Sequence, residues 1–170
     1  VRGRRGTRRT LAQAQGICHH DQRTGRHAER RHPRRDQAKG RKRQGDEIVY
    51  VDRSYSERSG MQVVRAIGGR APLHLTSSGK LFLALDDPRL IRAYATRTGL
   101  AGHTRNSLTD IGKLERELSM VRARGYARDN EELEVGVRCI AAGIRDDSGR
   151  LVAGLSVSAP AERMQDDWIA

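Results

Sequence analysis

The chain has 170 residues, enough for one domain with a proper hydrophobic core. Its net charge of +12 comes from one end: residues 1–45 hold 15 lysines and arginines against 3 acidic residues, whereas residues 46–170 hold 18 of each kind. No apolar run approaches the roughly 20 residues of a membrane span, and the basic start lacks the apolar region of a signal peptide. Two cysteines, Cys18 and Cys139, make no disulfide framework, so we expect a reduced, cytoplasmic protein without a membrane partner.

Residues 1–45 contain no aromatic and almost no aliphatic side chain. Nothing there offsets the entropy cost of ordering, so we predict a disordered segment. Three explanations stay open: a basic arm that binds nucleic acid non-specifically, an inert tail, or an out-of-frame segment. A basic arm would neutralise phosphates with Arg4, Arg5, Arg8, Arg9, Arg30, Arg31, Arg34, Arg35, Arg41, Lys42 and Arg43.

The same segment carries a cluster of potential metal ligands: Cys18, His19, His20, His27 and His32. Their spacing matches no standard zinc pattern, and no hydrophobic frame would hold them in a tetrahedron. We therefore expect neither a metal site nor a cofactor.

From residue 46 onward the sequence predicts alternating strands and helices. Residues 47–52 form a β-rich run, residues 53–60 a polar loop, and residues 61–67 a second strand that ends at a glycine pair. Hydroxyl residues at 76–78 precede a helix over 79–85. Asp87 and Pro88 predict a helix start, with the helix continuing to Tyr94.

A longer helix is predicted to begin at Thr109. Its apolar positions, Ile111, Leu114, Leu118 and Val121, recur every three or four residues, and Gly125 stands where a C-cap belongs. The spacing indicates a core-facing helix.

The last third predicts a hairpin of strands 135–145 and 150–159 around the turn 146–149. We expect one face, with Ile140, Ala142, Ile144, Leu151, Ala153, Leu155 and Val157, to form the core. The other face, with Cys139, Ala141, Gly143, Val152, Gly154, Ser156 and Ser158, is lined by small residues, so it leaves space above the sheet. One α+β domain over residues 46–170 follows, with an antiparallel sheet flanked by helices.

Several stretches together resemble the effector-binding domain of IclR-type transcriptional regulators. They are GDEIVYVD at residues 45–52, RAPLHLTSSGK at 70–80, GYARDNEE at 125–132, GVRCIAA at 136–142 and LSVSAP at 155–160. They occur in family order over about 115 residues. Each alone is weak, and the ordered set is specific.

The resemblance implies a GAF- or profilin-like fold that senses a small, carboxylate-bearing metabolite and alters DNA binding by a homodimer or homotetramer. It places Ser77, Ser78, Asp129, Cys139, Ser156 and Ser158 at the effector, with Met61 and Val63 as apolar wall. No winged helix-turn-helix is recognisable in residues 1–45, and the sequence stops where the family continues into a final helix. This departure puts direct operator binding by this chain in doubt and suggests a truncated or frameshifted copy.

The residues themselves support an anion site and leave alternatives open. Ser77 and Ser78 stand at a helix start, whose unpaired N–H groups favour a carboxylate, although they could instead cap the helix. Cys139 alone is more typical of a small buried residue than of a ligand contact. Asp129 offers an acceptor for a hydroxyl or an amine, or it holds a turn. We expect His74 to fix its loop by hydrogen bonding.

A different hypothesis is an enzyme with Cys139 as nucleophile and His74 as base. Such catalysis needs an activated thiolate and an oriented base. The sequence offers neither an activating neighbour nor a hydrolase motif such as Gly-x-Ser-x-Gly. We therefore predict a sensor domain and not an enzyme.

Overall fold

The computed structural model describes residues 45–52 and 67–165 with their side chains, and residues 13–19 as backbone. Within these residues six strands form one antiparallel sheet in the order β3-β2-β1-β6-β5-β4. The strands are β1 Gln13–His19, β2 Glu47–Tyr50, β3 Arg70–Pro72, β4 Tyr126–Asn130, β5 Val137–Arg145 and β6 Leu151–Pro160. The helices are α1 Ser77–Ala84, α2 Pro88–Thr98 and α3 Ile111–Arg124.

This architecture confirms the predicted α+β class. The strand predicted at residues 61–67 lies outside the described residues except for Ile67, which is in a turn. Among the helices of the described part, none combines the length and the apolar character needed to cross a membrane.

Strand β1 corrects one prediction. Residues 1–45 are expected to be disordered, yet Gln13–His19 pairs with β2 on one side and β6 on the other. The expectation rests on local side-chain composition, whereas a central strand is stabilised by backbone hydrogen bonds to both neighbours. The other residues of this segment, including the eleven basic residues proposed for nucleic acid, lie outside the described part.

The helix boundaries follow from local capping chemistry. The side chain of Thr76 accepts a hydrogen bond from the Gly79 N–H (3.1 Å), so it is the N-cap of α1. Asp87 caps α2, with Pro88 in its first turn, as predicted. The third helix begins later than predicted, because Asp110 and not Thr109 is its N-cap. Gly125 ends this helix in the left-handed conformation (φ 79°) that glycine adopts without steric cost.

The hairpin of β5 and β6 has the predicted turn. The carboxylate of Asp146 accepts hydrogen bonds from the N–H groups of Ser148 and Arg150 at 3.1 and 3.0 Å. Gly149 takes a positive φ of 76°. The local sequence therefore fixes the strand connection.

The predicted faces of this hairpin are exchanged in its middle, whereas nearer the turn Ala153 is buried and Leu151 packs against the core, as predicted. On the side expected to be core, Ala142 and Leu155 are exposed, and Leu155 keeps 45% of its surface accessible. On the small-residue side Ala141, Ser156 and Ser158 are buried. The core-face prediction is wrong because helix α1 packs on the small side chains, which allow its close approach.

Helix α1 lies so close to the sheet that little space remains above part of it. A Cβ atom added to Gly154 of β6 would stand 3.0 Å from the Oγ of Ser78 and 3.1 Å from its Cβ. The predicted space above the small-residue face is therefore filled at this point. The hydrophobic core continues between the sheet and the helices, with Ile48, Ala71, Leu73, Leu83, Ile91, Tyr94, Leu114, Leu118, Ala127 and Ala141 buried.

Candidate functional site

Three polar side chains lie side by side across β4, β5 and β6. In the strand register Asp129 is opposite Cys139, and Cys139 is opposite Ser158. The hydroxyl of Ser158 donates a hydrogen bond to the sulfur of Cys139 over 2.9 Å. Ser158 and Asp129 are buried, and Cys139 is half-buried. The fold thus brings together three residues that the sequence singles out.

A cavity of about 260 Å³ opens beside this row, with Asp129 and Cys139 in its wall. Most of the wall is charged or polar, and its members are Glu117, Arg124, Arg128, Asp129, Asn130, Glu132, Arg138, Cys139, Met164 and Gln165. With every group ionised, the wall holds three arginines and three carboxylates. Two further charges contact the wall from outside it: Lys80 contacts Glu132 and Glu117, and Glu131 contacts Arg138. The charges are therefore balanced, and the guanidinium groups are the donors that a carboxylate could bind.

The two serines of the predicted site occupy the first turn of α1. Ser77 and Ser78 are both buried, and Thr76 rather than either serine provides the cap. The Oγ of Ser78 is fully buried and makes no hydrogen bond. Neither serine is in the wall of the 260 Å³ cavity, and the same holds for Ser156 and Ser158. Among the predicted contact residues that the structure describes, Asp129 and Cys139 are the two that line this cavity.

The remaining predicted residues are Met61, Val63 and His74. Met61 and Val63 lie outside the described residues. His74 acts as expected: its Nδ1 is 2.6 Å from the hydroxyl of Tyr94, and its Nε2 is 3.1 Å from the carbonyl oxygen of Ala101. Because both ring nitrogens are engaged in this way, His74 anchors its loop and is not oriented toward Cys139 as a base.

A buried cluster of charged side chains, which was not predicted from the sequence, lies next to this site. The ammonium of Lys80 donates to both carboxylate oxygens of Glu132, at 2.7 Å each, and lies 3.8 Å from Glu117. The Lys80 side chain is completely buried. Arg124 completes the cluster with a 2.6 Å contact to Glu117. A lysine within the apolar run of α1 is the signal that could have revealed it, since lysine is almost never fully buried unless paired.

Burial raises the pKa of Glu132 to about 7, against the attraction of Lys80, which lowers it. Between about pH 7 and the unperturbed value of 4.5, the folded protein holds a proton that the unfolded chain releases. The free energy of unfolding should therefore rise as the pH falls through this window, by up to about 1.4 kcal/mol per pH unit from this group.

Urea unfolding of the wild type and Glu132→Gln between pH 5 and pH 8 measures this contribution. The variant is needed as a reference because burial also lowers the pKa of His74. As the pH falls, the unfolded chain takes up a proton at this histidine before the folded protein does, so His74 lowers the free energy of unfolding and opposes the effect of Glu132. We expect the free energy of unfolding of the wild type, minus that of Glu132→Gln, to rise as the pH falls below about 7. Parallel curves would show that Glu132 does not titrate in this range.

The comparison with protein families agrees with this geometry. The model of the family described as bacterial transcriptional regulator IclR C-terminal matches residues 40–170. The chain belongs to the IclR family.

Relatives and solved structures extend this assignment. The chain is 36% identical over 126 residues to the HTH-type transcriptional repressor AllR of Salmonella paratyphi A, an alignment that covers 74% of this chain and 46% of AllR. Thermotoga maritima IclR superposes with a TM-score of 0.71 at 30% identity, covering 92% of this chain and 53% of that one. A double mutant of the PobR inducer binding domain from Acinetobacter, crystallised with 3-hydroxybenzoic acid, gives a TM-score of 0.71 at 25% identity, and the superposition covers 92% of this chain and 78% of that one. The chain thus spans about half the length of full regulators of the IclR family.

Proposed function

We propose that residues 46–170, together with strand β1, form the effector-sensing domain of an IclR-type transcriptional regulator, with a small carboxylate-bearing metabolite as effector. The observation that carries the proposal is the row Asp129–Cys139–Ser158, of which Asp129 and Cys139 line the wall of a charged cavity. Ser77, Ser78 and Ser156 are buried outside this wall, and the family resemblance is what supports them as effector contacts.

The chemistry of the cavity supports a small organic acid. Three arginines, Arg124, Arg128 and Arg138, lie in its wall, and a guanidinium group is the side chain best suited to bind a carboxylate. Its volume of about 260 Å³ is below the range of about 300–1,000 Å³ typical of drug-sized ligands. A double mutant of the similar PobR domain was crystallised with 3-hydroxybenzoic acid, an acid with one carboxylate and one hydroxyl.

The effector would act by shifting the affinity of a regulator for DNA, since a ligand changes a second binding equilibrium only through a coupling free energy. Family membership supports DNA as the partner of the full-length regulator and a homodimer or homotetramer as its assembly. Sedimentation of the chain with and without the acid tests the assembly.

Titration calorimetry tests the effector with acetate, lactate and 3-hydroxybenzoate, each against its neutral amide. We expect at least one acid to bind and its amide to bind much more weakly. Ser158→Ala removes the hydroxyl that donates to Cys139 in the cavity wall, and we expect it to weaken acid binding by about tenfold, which corresponds to about 1.4 kcal/mol.

Ser148→Ala, the same change in the exposed β5–β6 turn, is the control and should bind as the wild type does. Absence of binding by all three acids, or equal binding of acid and amide, contradicts the proposal.

A further inference from the structure

One residue, Glu132, connects three parts of the molecule that surround the cavity. Its backbone N–H donates to the carboxylate of Asp129 over 2.8 Å. Its side chain binds Lys80 of helix α1 through both oxygens. Its carbonyl oxygen accepts from the hydroxyls of Ser107 (2.7 Å) and Thr104 (3.3 Å), in the segment between α2 and α3. Every polar part of the residue is therefore used.

The Lys80–Glu132 contact joins helix α1 to the segment that follows β4. Lys80 lies one helical turn after Ser77, and Glu132 lies two residues beyond the end of β4. Because the ammonium meets both oxygens at 2.7 Å, the first turn of α1 cannot move away from the β4 end without breaking a buried ion pair. The pair thereby fixes the spacing between the two sides of the proposed effector site.

Stability alone does not account for such a pair. The Lys80 side chain has no exposed surface and that of Glu132 is 9% exposed, so both charges have lost most of their hydration. Apolar residues of similar volume often stabilise a fold as well as a buried ion pair does. What an apolar pair lacks is a fixed, directional geometry, which holds the backbone of residue 132, and with it the N–H that donates to Asp129, at a defined distance from α1.

We propose that Lys80 and Glu132 are a positioning pair for effector binding, which hold the first turn of α1 and the carboxylate of Asp129 in the geometry that an acid requires. The proposal rests on the effector site described above. Neither residue needs to touch the acid: they act through Asp129, Ser77 and Ser78.

The charged groups around Glu132 allow a test that distinguishes a positioning role from a purely electrostatic one. Glu132 faces Lys80 from α1, Glu117 and Arg124 from α3, Asp129 from β4 and Arg138 from β5. Glu132→Gln removes one negative charge from the cavity. If charge alone mattered, this variant would bind an acid more tightly; a positioning role predicts weaker binding, by about tenfold or more, as with other residues that orient a ligand-contacting group.

The decisive variant is Lys80→Met/Glu132→Leu in the full chain. Its free energy of unfolding should match or exceed that of the wild type, while its affinity for the acid found by calorimetry (acetate, lactate or 3-hydroxybenzoate) falls by about tenfold or more. Glu115→Gln, which breaks the exposed contact to Arg92, is the matched control and should leave the affinity unchanged. A stable double variant with wild-type affinity overturns the positioning role.

Amide hydrogen exchange of the acid-free protein keeps this test independent of the proposed function. In the double variant we expect faster exchange at residues 77–80 and 129–132 and unchanged exchange in α2. If no acid binds the wild type, the effector proposal fails, and the exchange data still decide whether the pair holds these segments. Unchanged exchange at both segments overturns the inference whether or not an acid binds.

Discussion

Lys80→Met is expected to lower the free energy of unfolding by about 3–5 kcal/mol at about pH 8, because removing one partner of a buried ion pair leaves the other charge unpaired. At this pH Glu132 is above its pKa of about 7 and carries its charge. Glu117, 3.8 Å from the ammonium in the wild type, adds a second carboxylate to the same pocket. Urea unfolding monitored by circular dichroism measures the loss.

The double variant Lys80→Met/Glu132→Leu should recover the whole of this loss, since it removes both charges and fills the space with apolar atoms. A double-mutant cycle with Glu132→Leu then gives the interaction energy of the pair. A loss below about 1 kcal/mol for Lys80→Met would place the pair among exposed ion pairs in strength. That result would contradict the buried geometry.

Gly79→Ala is expected to destabilise the fold by about 3 kcal/mol or more, or to prevent folding, because overpacking at backbone contacts cannot be relieved by a rotamer change. A Cβ atom at this position would overlap the backbone oxygen and the Cα of Leu73 and the hydroxyl of Thr76. The glycine therefore allows α1 to begin directly beside the preceding helical turn Leu73–Leu75.

Gly112→Ala in the first turn of α3 is the matched control. There the nearest atom to an added Cβ is the Asp110 Oδ1 at 3.3 Å, an atom of a side chain. We expect a change within about 1 kcal/mol, the size of the helix-propensity difference between glycine and alanine. If thermal unfolding gives Gly79→Ala a stability equal to that of the wild type, the close approach of α1 to residues 73–76 is wrong.

Features that local chemistry determines could be predicted from the sequence. Asp87 and Pro88 start α2, Gly125 ends α3, and Asp146 organises the hairpin turn. Each of these residues acts on backbone groups within four positions of itself, so a short stretch of sequence contains the whole interaction.

Features that depend on distant parts of the chain could not be predicted. The sequence alternation of β6 is compatible with either face being buried, and helix α1 decides the outcome by packing on Ser156 and not on Leu155. Strand β1 depends on partners far along the chain. The ion pair of Lys80 and Glu132 joins residues 52 positions apart, so the local pattern around Lys80 can indicate a buried charge but cannot identify its partner.

The residues of the candidate site follow from the family resemblance and not from a local sequence pattern. The resemblance indicates Asp129, Cys139 and Ser158, and the register of three strands places them in one row. The charged wall contributed by Arg124, Arg138 and the other cavity residues was not foreseen, because these side chains come from separate elements.

The most direct test of an effector site at this row is chemical protection of Cys139. This half-buried thiol lies in the cavity wall, so iodoacetamide should alkylate it in the acid-free protein. Peptide mapping by mass spectrometry follows Cys18 and Cys139 separately in the same sample. We expect an acid that binds by calorimetry to slow alkylation of Cys139 in proportion to its occupancy, while its amide has no effect; an acid that binds without slowing that reaction would show that the effector site is elsewhere.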